Sequence, residues 1–546
     1  MSISVILVFV FLAVNLVFAF VKKPVANSSD YIVAERSLGS FSLFATLLAS
    51  NLSAFTIFGV SGAGYRMGWA FFPVMAFGTG FMALSFVLFG IPLRRMSRSA
   101  GWLTPAHCVR DRFGSKSLAL VYASILLVFT VPYLAVQIGS AGKIISSISG
   151  LPPWLCSLIL ISIIALYIIR GGMRSVVRTD ILQAFALYAF AGLAFYIIYA
   201  FFSKNSPQAA TAVLASGLAD RGGAGGALPL VSLLSYYALW FLADPMFPHL
   251  TQRFFAAKSD KALLASMAMY PFASALIFFM MTGLGVAGAL LIPGLKGSAS
   301  DTIFTQLSAL AAGKWAPLFS IAALAALMST MDSQLLSCAS ILVEDFIPSK
   351  KDSVPFIKTV TLLFALLSWL VSLKPPASIL SFLTGTAFAG YAVLAPVMLA
   401  AIYLPRAGKR AALLALVAGS ALVLVQALKL WTPPFPAVFF NALVEAVILA
   451  AGLLVSRVAS GSLKAKSQPR PEAIVAPYKN EYLTPLSMLA VLLLLLLGTD
   501  FWNFGKTPTL FFGIPTWVWY QCGATLILGL ACLVFYKHHA LEPRLE

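Results

Sequence analysis

Fifteen apolar segments follow one another along this chain, most of them close to the ~20 residues with which an α-helix crosses a bilayer. They lie near residues 4–21, 39–63, 70–93, 118–142, 154–169, 181–202, 228–248, 263–292, 315–342, 357–373, 377–404, 410–430, 435–456, 484–502 and 514–536. Inside hydrocarbon a backbone must satisfy its own N–H and C=O groups, so such segments are helices. The pattern predicts an all-α polytopic membrane protein with about 15 transmembrane helices. Composition excludes the other classes: 60% of the 546 residues are hydrophobic and 10% charged, against about 45–50% and 25% in soluble domains. A soluble enzyme, a secreted disulfide scaffold and a disordered chain are ruled out.

The formal net charge of +19 suggests nucleic acid until its placement is considered. Basic residues form short clusters between apolar segments, the pattern of cytoplasmic loops. With the loop at 22–38 inside, alternate loops carry 28 Lys and Arg inside and eight outside. This predicts an integral cell (inner) membrane protein with its N-terminus outside and its C-terminus in the cytoplasm. The first segment lacks a basic start and an A-x-A cleavage site, so it reads as a retained helix rather than a signal peptide. The five cysteines match no zinc or redox spacing. The expected partners are the lipid bilayer and small solutes, not nucleic acid; oligomeric state is open.

Four segments are not plain lipid-facing helices. The second reads Leu47-Leu-Ala-Ser-Asn-Leu-Ser-Ala-Phe-Thr-Ile-Phe-Gly59 and continues through Gly62 and Gly64. Small and polar residues at mid-membrane fit either an interrupted helix that offers carbonyls to an ion or solute, or close packing of two helices. The seventh holds Trp240, Asp244-Pro245 and Pro248. It is either a second break or a Pro-kinked helix with Asp244 in water near its inner end. The ninth carries Ser329, Thr330, Asp332 and Ser333. These are hard oxygen ligands suited to Na⁺, and an intramembrane charge marks an ion path; the alternative is hydroxyls bonding back to the i−4 carbonyl. At the start of the sixth, Asp180 and Gln183 have capping-box spacing, which leaves a helix cap and an ion ligand equally open. Glu445 in the thirteenth is expected to pair with a neighbour.

Three of these stretches together resemble the sodium:solute symporter family, over about residues 30–405. Gly171-Gly-Met-Arg-Ser-Val-Val-Arg-Thr-Asp-Ile-Leu-Gln183 is similar to the family's Gly-Gly…Thr-Asp-x-x-Gln signature. Ala326-Leu-Met-Ser-Thr-Met-Asp-Ser-Gln-Leu-Leu336 is similar to its eighth core helix. Pro248-His249, Gln252-Arg253 and Ala256-Ala-Lys258 are similar to the inner end of its sixth. The resemblance implies a LeuT-type fold, a 5+5 inverted repeat with flanking helices. The expected divisions are an N-terminal helix and loop (1–38), a core (39–405, with repeats 39–202 and 228–405) and accessory helices with a tail (406–546).

The resemblance also implies sites. A sodium ion would be held by carbonyls of Ala49, Leu52 and Ala326 and hydroxyls of Ser329 and Thr330. A second cation would involve Asp180, Asp332 and Ser333, with Ser329 beside them. The solute would meet Asn51, Ser53, Thr56, Tyr133, Gln137, Trp240, Asp244, Pro248 and Tyr391. Asn51 stands where proline carriers have Asp, and Phe55-Thr56 where sugar carriers have a polar pair. The implied function is sodium-coupled symport of a small organic solute, an amino acid or small carboxylate, with sodium as the coupling ion and no other cofactor. The alternative is a transporter-derived sensor that binds the solute with little flux. A membrane enzyme would need clustered catalytic side chains at one membrane face, and the sequence has none.

Overall fold

The computed structural model describes residues 3–20, 25, 27–347, 353–374, 379–462 and 477–541. Lys22, Lys23, Lys350, Lys351, Arg544 and most of the 457–483 linker, all counted in the expected cytoplasmic set, lie outside the described residues. Among the described residues, twelve helices are long and apolar enough to cross a membrane, or thirteen if the bent pair Leu230–Met246 and Pro248–Ala256 is one span. Three of the twelve are composites: Gly297–Phe346 adds the short helix Ile303–Ala312 to one crossing, and the other two join separate crossings. Pro153–Asn205 has 53 residues, roughly 80 Å at 1.5 Å per residue and far longer than a bilayer core. It is broken at Gly172, with φ 51° and ψ −141°. Phe55–Ala100 joins the outer half of one interrupted span to the span after it, turning at Gly68 with φ 73°. Separating these two recovers about fifteen crossings.

Gly172 is required where it stands. A Cβ there would lie 2.4 Å from the Tyr31 carbonyl oxygen, and the Tyr31 hydroxyl donates to the Ile168 carbonyl at 2.7 Å. The short helix Ser28–Val33 is thereby pinned against the turn between the fifth and sixth spans.

Both helices expected to open a repeat are interrupted. Ser40–Asn51 ends at Leu52, whose φ −81° and ψ 109° are extended. A wide π-type turn, Phe55–Gly59, starts the outer half, which continues as Val60–Met67. Leu230–Ala243 gives way to a short 3₁₀ turn, Asp244–Met246, and resumes as Pro248–Ala256 after a bend of 59°. Both readings of the second segment hold, each in its own half. The polar middle is the break. The glycine-rich outer half packs on the helix Asp260–Leu291, where a Cβ on Gly285 would lie 2.2 Å from the Ser61 carbonyl and one on Gly64 would lie 2.6 Å from that of Thr282.

Around this pair stand Lys116–Ser149, Pro153–Asn205 and Ala316–Ile341. The N-terminal helix Ile3–Phe20 joins them through Asn15, whose Oδ1 accepts from Gln183 Nε2 at 3.0 Å. That contact corrects the capping-box reading: Asp180 and Gln183 lie inside a continuing helix and face neighbouring helices. Glu445 is also corrected. It packs against Gly419, and among the described residues neither carboxylate oxygen has a hydrogen-bond partner. The outer loop at 203–227 holds one short helix, Ala209–Ala215. A two-residue hairpin, Leu510–Phe511 with Ile514–Pro515, precedes the final helix.

Candidate functional site

The first break frees backbone acceptors, and the helix Ala316–Ile341 supplies hydroxyls to meet them. The Ser329 hydroxyl lies 2.9 Å from the Ala49 carbonyl and 3.1 Å from that of Ala326. The Thr330 hydroxyl lies 3.1 Å from Ala326 O, 3.3 Å from Leu52 O and 3.3 Å from Ser50 O. The five oxygens named from sequence therefore share one buried cluster, with the Ser50 carbonyl as a sixth. Ser329 and Thr330 also bond back within their own helix, so the local alternative and the cross-helix one coexist. The cluster consists of neutral oxygens only, a donor set suited to a monovalent hard cation that has to be released again.

One helical turn away lies a second, charged group. Asp180 Oδ2 accepts from Arg253 at 2.9 Å, from Ser50 at 3.3 Å and from Thr46 at short range. Arg253 also donates to Ser333 Oγ at 2.6 Å, to Thr46 Oγ1 at 2.8 Å and to the His249 carbonyl at 2.7 Å. Asp332 Oδ2 accepts from Tyr167 at 2.7 Å and Thr179 at 3.2 Å, and Ser333 donates to its Oδ1 at 3.1 Å. Asp180, Asp332 and Ser333 are brought together, and a fully buried guanidinium already stands among them.

The solute residues divide. A narrow cavity of about 20 Å³ is lined by Asn51, Ser53, Thr56, Tyr133, Trp240 and Asp244, together with Phe55, Phe247, Tyr270 and Phe388. Asp244 is buried, not in water. Its Oδ2 accepts from Asn51 Nδ2 at 3.0 Å, and the same amide donates to the Tyr270 hydroxyl at 2.7 Å. Trp240 donates to the Val74 carbonyl at 3.0 Å and packs on Phe55 and Phe388 with ring centres 5.8 and 5.6 Å apart. Gln137, Pro248 and Tyr391 are not on the cavity wall. Gln137 Oε1 is used by the Ala54 N–H at 2.9 Å, Tyr391 pairs with Thr130 at 2.7 Å, and Pro248 opens the inner half-helix.

Sequence reasoning missed Thr46, Ser50, Tyr167, Tyr270 and the role of Arg253. Thr46 and Ser50 carried a signal, hydroxyls at i, i+4 on one helix face. Arg253 stood in a quoted motif without a partner. Nothing local marked Tyr270.

The model of the sodium:solute symporter family matches residues 31–419. The sodium/pantothenate symporter of Haemophilus influenzae is 27% identical over 417 residues, covering 74% of this chain and 85% of that protein. The osmoregulated proline transporter OpuE of Bacillus subtilis is 29% identical, covering 76% and 86%. Among solved structures, the substrate-bound outward-open state of a Na⁺-coupled sialic acid symporter superposes with a TM-score of 0.65 at 17% identity, covering 84% of this chain and 98% of that one. A closed conformation of Mhp1, a nucleobase-cation-symport-1 family transporter, reaches 0.56 at 16% identity, covering 82% and 99%. These two likenesses concern the fold.

Proposed function

The chain belongs to the sodium:solute symporter family, and on that premise we propose that it imports a small organic solute together with Na⁺ by alternating access. The observation that carries this reading is the meeting of Ala49, Leu52 and Ala326 carbonyls with Ser329 and Thr330 hydroxyls across two helices. Residues 39–405 form the transporting core and 406–546 flank it. The N-terminus lies outside and the C-terminus in the cytoplasm, an orientation that the distribution of basic residues supports. Na⁺ entering from outside replaces the weak hydroxyl contacts and fastens the first broken helix to Ala316–Ile341. The solute then enters between the two breaks, where the aromatic side chains part to widen the narrow cavity around it, and the bundle rocks to release both inward. The ion drives transport only because it binds the successive states unequally. A membrane potential adds about 2.3 kcal/mol per charge per 100 mV.

One sodium ion per cycle is the simpler reading. Arg253 supplies one tethered positive charge, which pairs with Asp180, and Asp332 is met there by the hydroxyls of Tyr167, Thr179 and Ser333. Of the two expected solute types, an amino acid suits a cavity that contains Asp244 better than a simple carboxylate does, because like charges repel.

The test is the melting temperature of the purified protein in detergent, in NaCl against KCl. NaCl is expected to raise it, because a ligand of the folded state stabilises that state. Ser329→Ala and Thr330→Ala each remove one oxygen and should weaken Na⁺ about tenfold, roughly 1.4 kcal/mol. Equal NaCl gains in wild type and both variants would refute the site.

A further inference from the structure

We propose that this cavity recognises a positively charged nitrogen first, so that the transported solute is an amine or quaternary ammonium compound and any carboxylate on it is secondary. The inference rests on the symport reading above and names its solute.

Three observations carry it. Asp244 is 3% exposed and stands on the cavity wall at the second helix break. Its Oδ2 accepts from Asn51, and among the described residues no Lys, Arg or His forms an ion pair with it. The neighbouring Arg253 is committed to Asp180. An intramembrane carboxylate without a cation is costly and by default marks the ligand path. A cationic solute brings the missing partner.

The wall around it is aromatic. Trp240, Phe55, Phe388 and Tyr133 form a continuous set with ring centres 5.3 to 6.0 Å apart. Their π-faces attract a cation within ~6 Å, and most strongly when it has lost its water.

The backbone N–H groups that would hold an anion at the first break are already taken. A half-helix start normally offers free N–H groups to a carboxylate. Here the Ser53 N–H goes to Thr56 Oγ1 at 3.1 Å, that of Ala54 to Gln137 at 2.9 Å, that of Phe55 to Ser53 Oγ at 3.2 Å and that of Thr56 to the Ser53 carbonyl at 2.9 Å. At the other break, Pro248 has no N–H to give. A solute that carries only negative charge would face a carboxylate and no matching charge, a repulsive element that rejects it.

The test uses isosteric pairs that differ only in N⁺ against C: choline with 3,3-dimethylbutanol, and glycine betaine with 3,3-dimethylbutyrate. Proline and succinate complete the panel. Each is titrated to 100 mM against the melting temperature of the full chain in NaCl and in KCl. Choline, betaine or proline should raise the melting temperature in NaCl, and the carbon isosteres and succinate should not. Asp244→Asn should weaken the effective cation at least tenfold while keeping the shift caused by NaCl alone, which shows that the variant is folded. Asp244→Glu, which keeps the charge, should retain part of the response. A shift from a carbon isostere or succinate that equals or exceeds its cationic counterpart would overturn the proposal. So would the absence of a shift from every cationic probe, or an undiminished response in Asp244→Asn. A cation-specific shift of equal size in NaCl and KCl would leave the solute class standing and refute the sodium coupling instead.

Discussion

Arg253 shows how much one side chain decides at the residue scale. It is fully buried and contacts Asp180, Ser333, Thr46 and the His249 carbonyl, so it ties the second broken helix to the first, to the sixth span and to the ninth. Removing one partner of a buried ion pair leaves an uncompensated charge, at a cost of about 3–5 kcal/mol. Arg253→Gln is therefore expected to lower the melting temperature sharply. Asp180→Asn in the same chain should recover part of the loss, because the orphaned carboxylate is then gone. A double-mutant cycle measures this directly; strictly additive losses would show that the pair does not act as one unit. Sequence marked Asp180 for two roles and could not choose between them. The choice depended on a partner 73 positions away, and no local spacing encodes that.

At the element scale the two helix breaks were legible and their surroundings were not. Proline beside Asp244 and a polar middle at Ser50–Ser53 marked both segments as candidate interruptions, each with a packing or kink alternative, and the family resemblance chose the break. Sequence did not reveal that the first outer half also seats directly on Asp260–Leu291. That seating depends on Gly285 and Gly64 meeting carbonyls of the opposite helix, and glycines look alike in sequence whether they pack or not. Gly285→Ala places a methyl 2.2 Å from the Ser61 carbonyl, with backbone rather than a flexible side chain in the way. The two helices must separate, and overpacking of this kind costs about 1–3 kcal/mol. Gly192→Ala, with nothing within 4 Å, serves as the control and should be neutral or slightly stabilising. A melting temperature unchanged by Gly285→Ala would contradict the close approach.

The helix Pro105–Phe113, on the side assigned to the cytoplasm, supports a pH prediction. Burial, followed by nearby Arg110, holds the His107 imidazole down to about 4, from an ordinary value near 6.5. The unfolded chain therefore binds a proton between those values and the folded chain does not. Stability from this group is complete above pH 6.5 and is lost progressively as the pH falls towards 4. His107→Asn should make the decline in melting temperature between pH 7 and pH 5 shallower. An identical slope in both proteins would remove His107 as its cause.

At the scale of the whole molecule, the question is how the last two helices hold on to a core that folds around two breaks. The outer loop joins them. Arg221 is fully buried, lies 3.3 Å from Asp500 and donates to the Thr499 carbonyl at 3.0 Å, with its guanidinium over the rings of Phe504 and Trp517. On its other side, the Trp69 N–H donates to the Leu218 carbonyl at 2.9 Å, and the Trp517 indole donates to that of Ala219 at 2.8 Å. One loop thus grips the first repeat and the accessory hairpin together. Sequence showed this loop only as an Ala, Gly and Ser-rich connection, because its partner Asp500 lies 279 residues further on. Arg221→Ala strands a buried carboxylate and removes two ring contacts, so it should cost about 3–5 kcal/mol. The neutral cation cluster at Ser329 lies on other helices, so the difference between melting in NaCl and in KCl should survive while both values fall. If the NaCl gain disappears together with the loss of stability, the accessory helices take part in ion binding and are more than a brace.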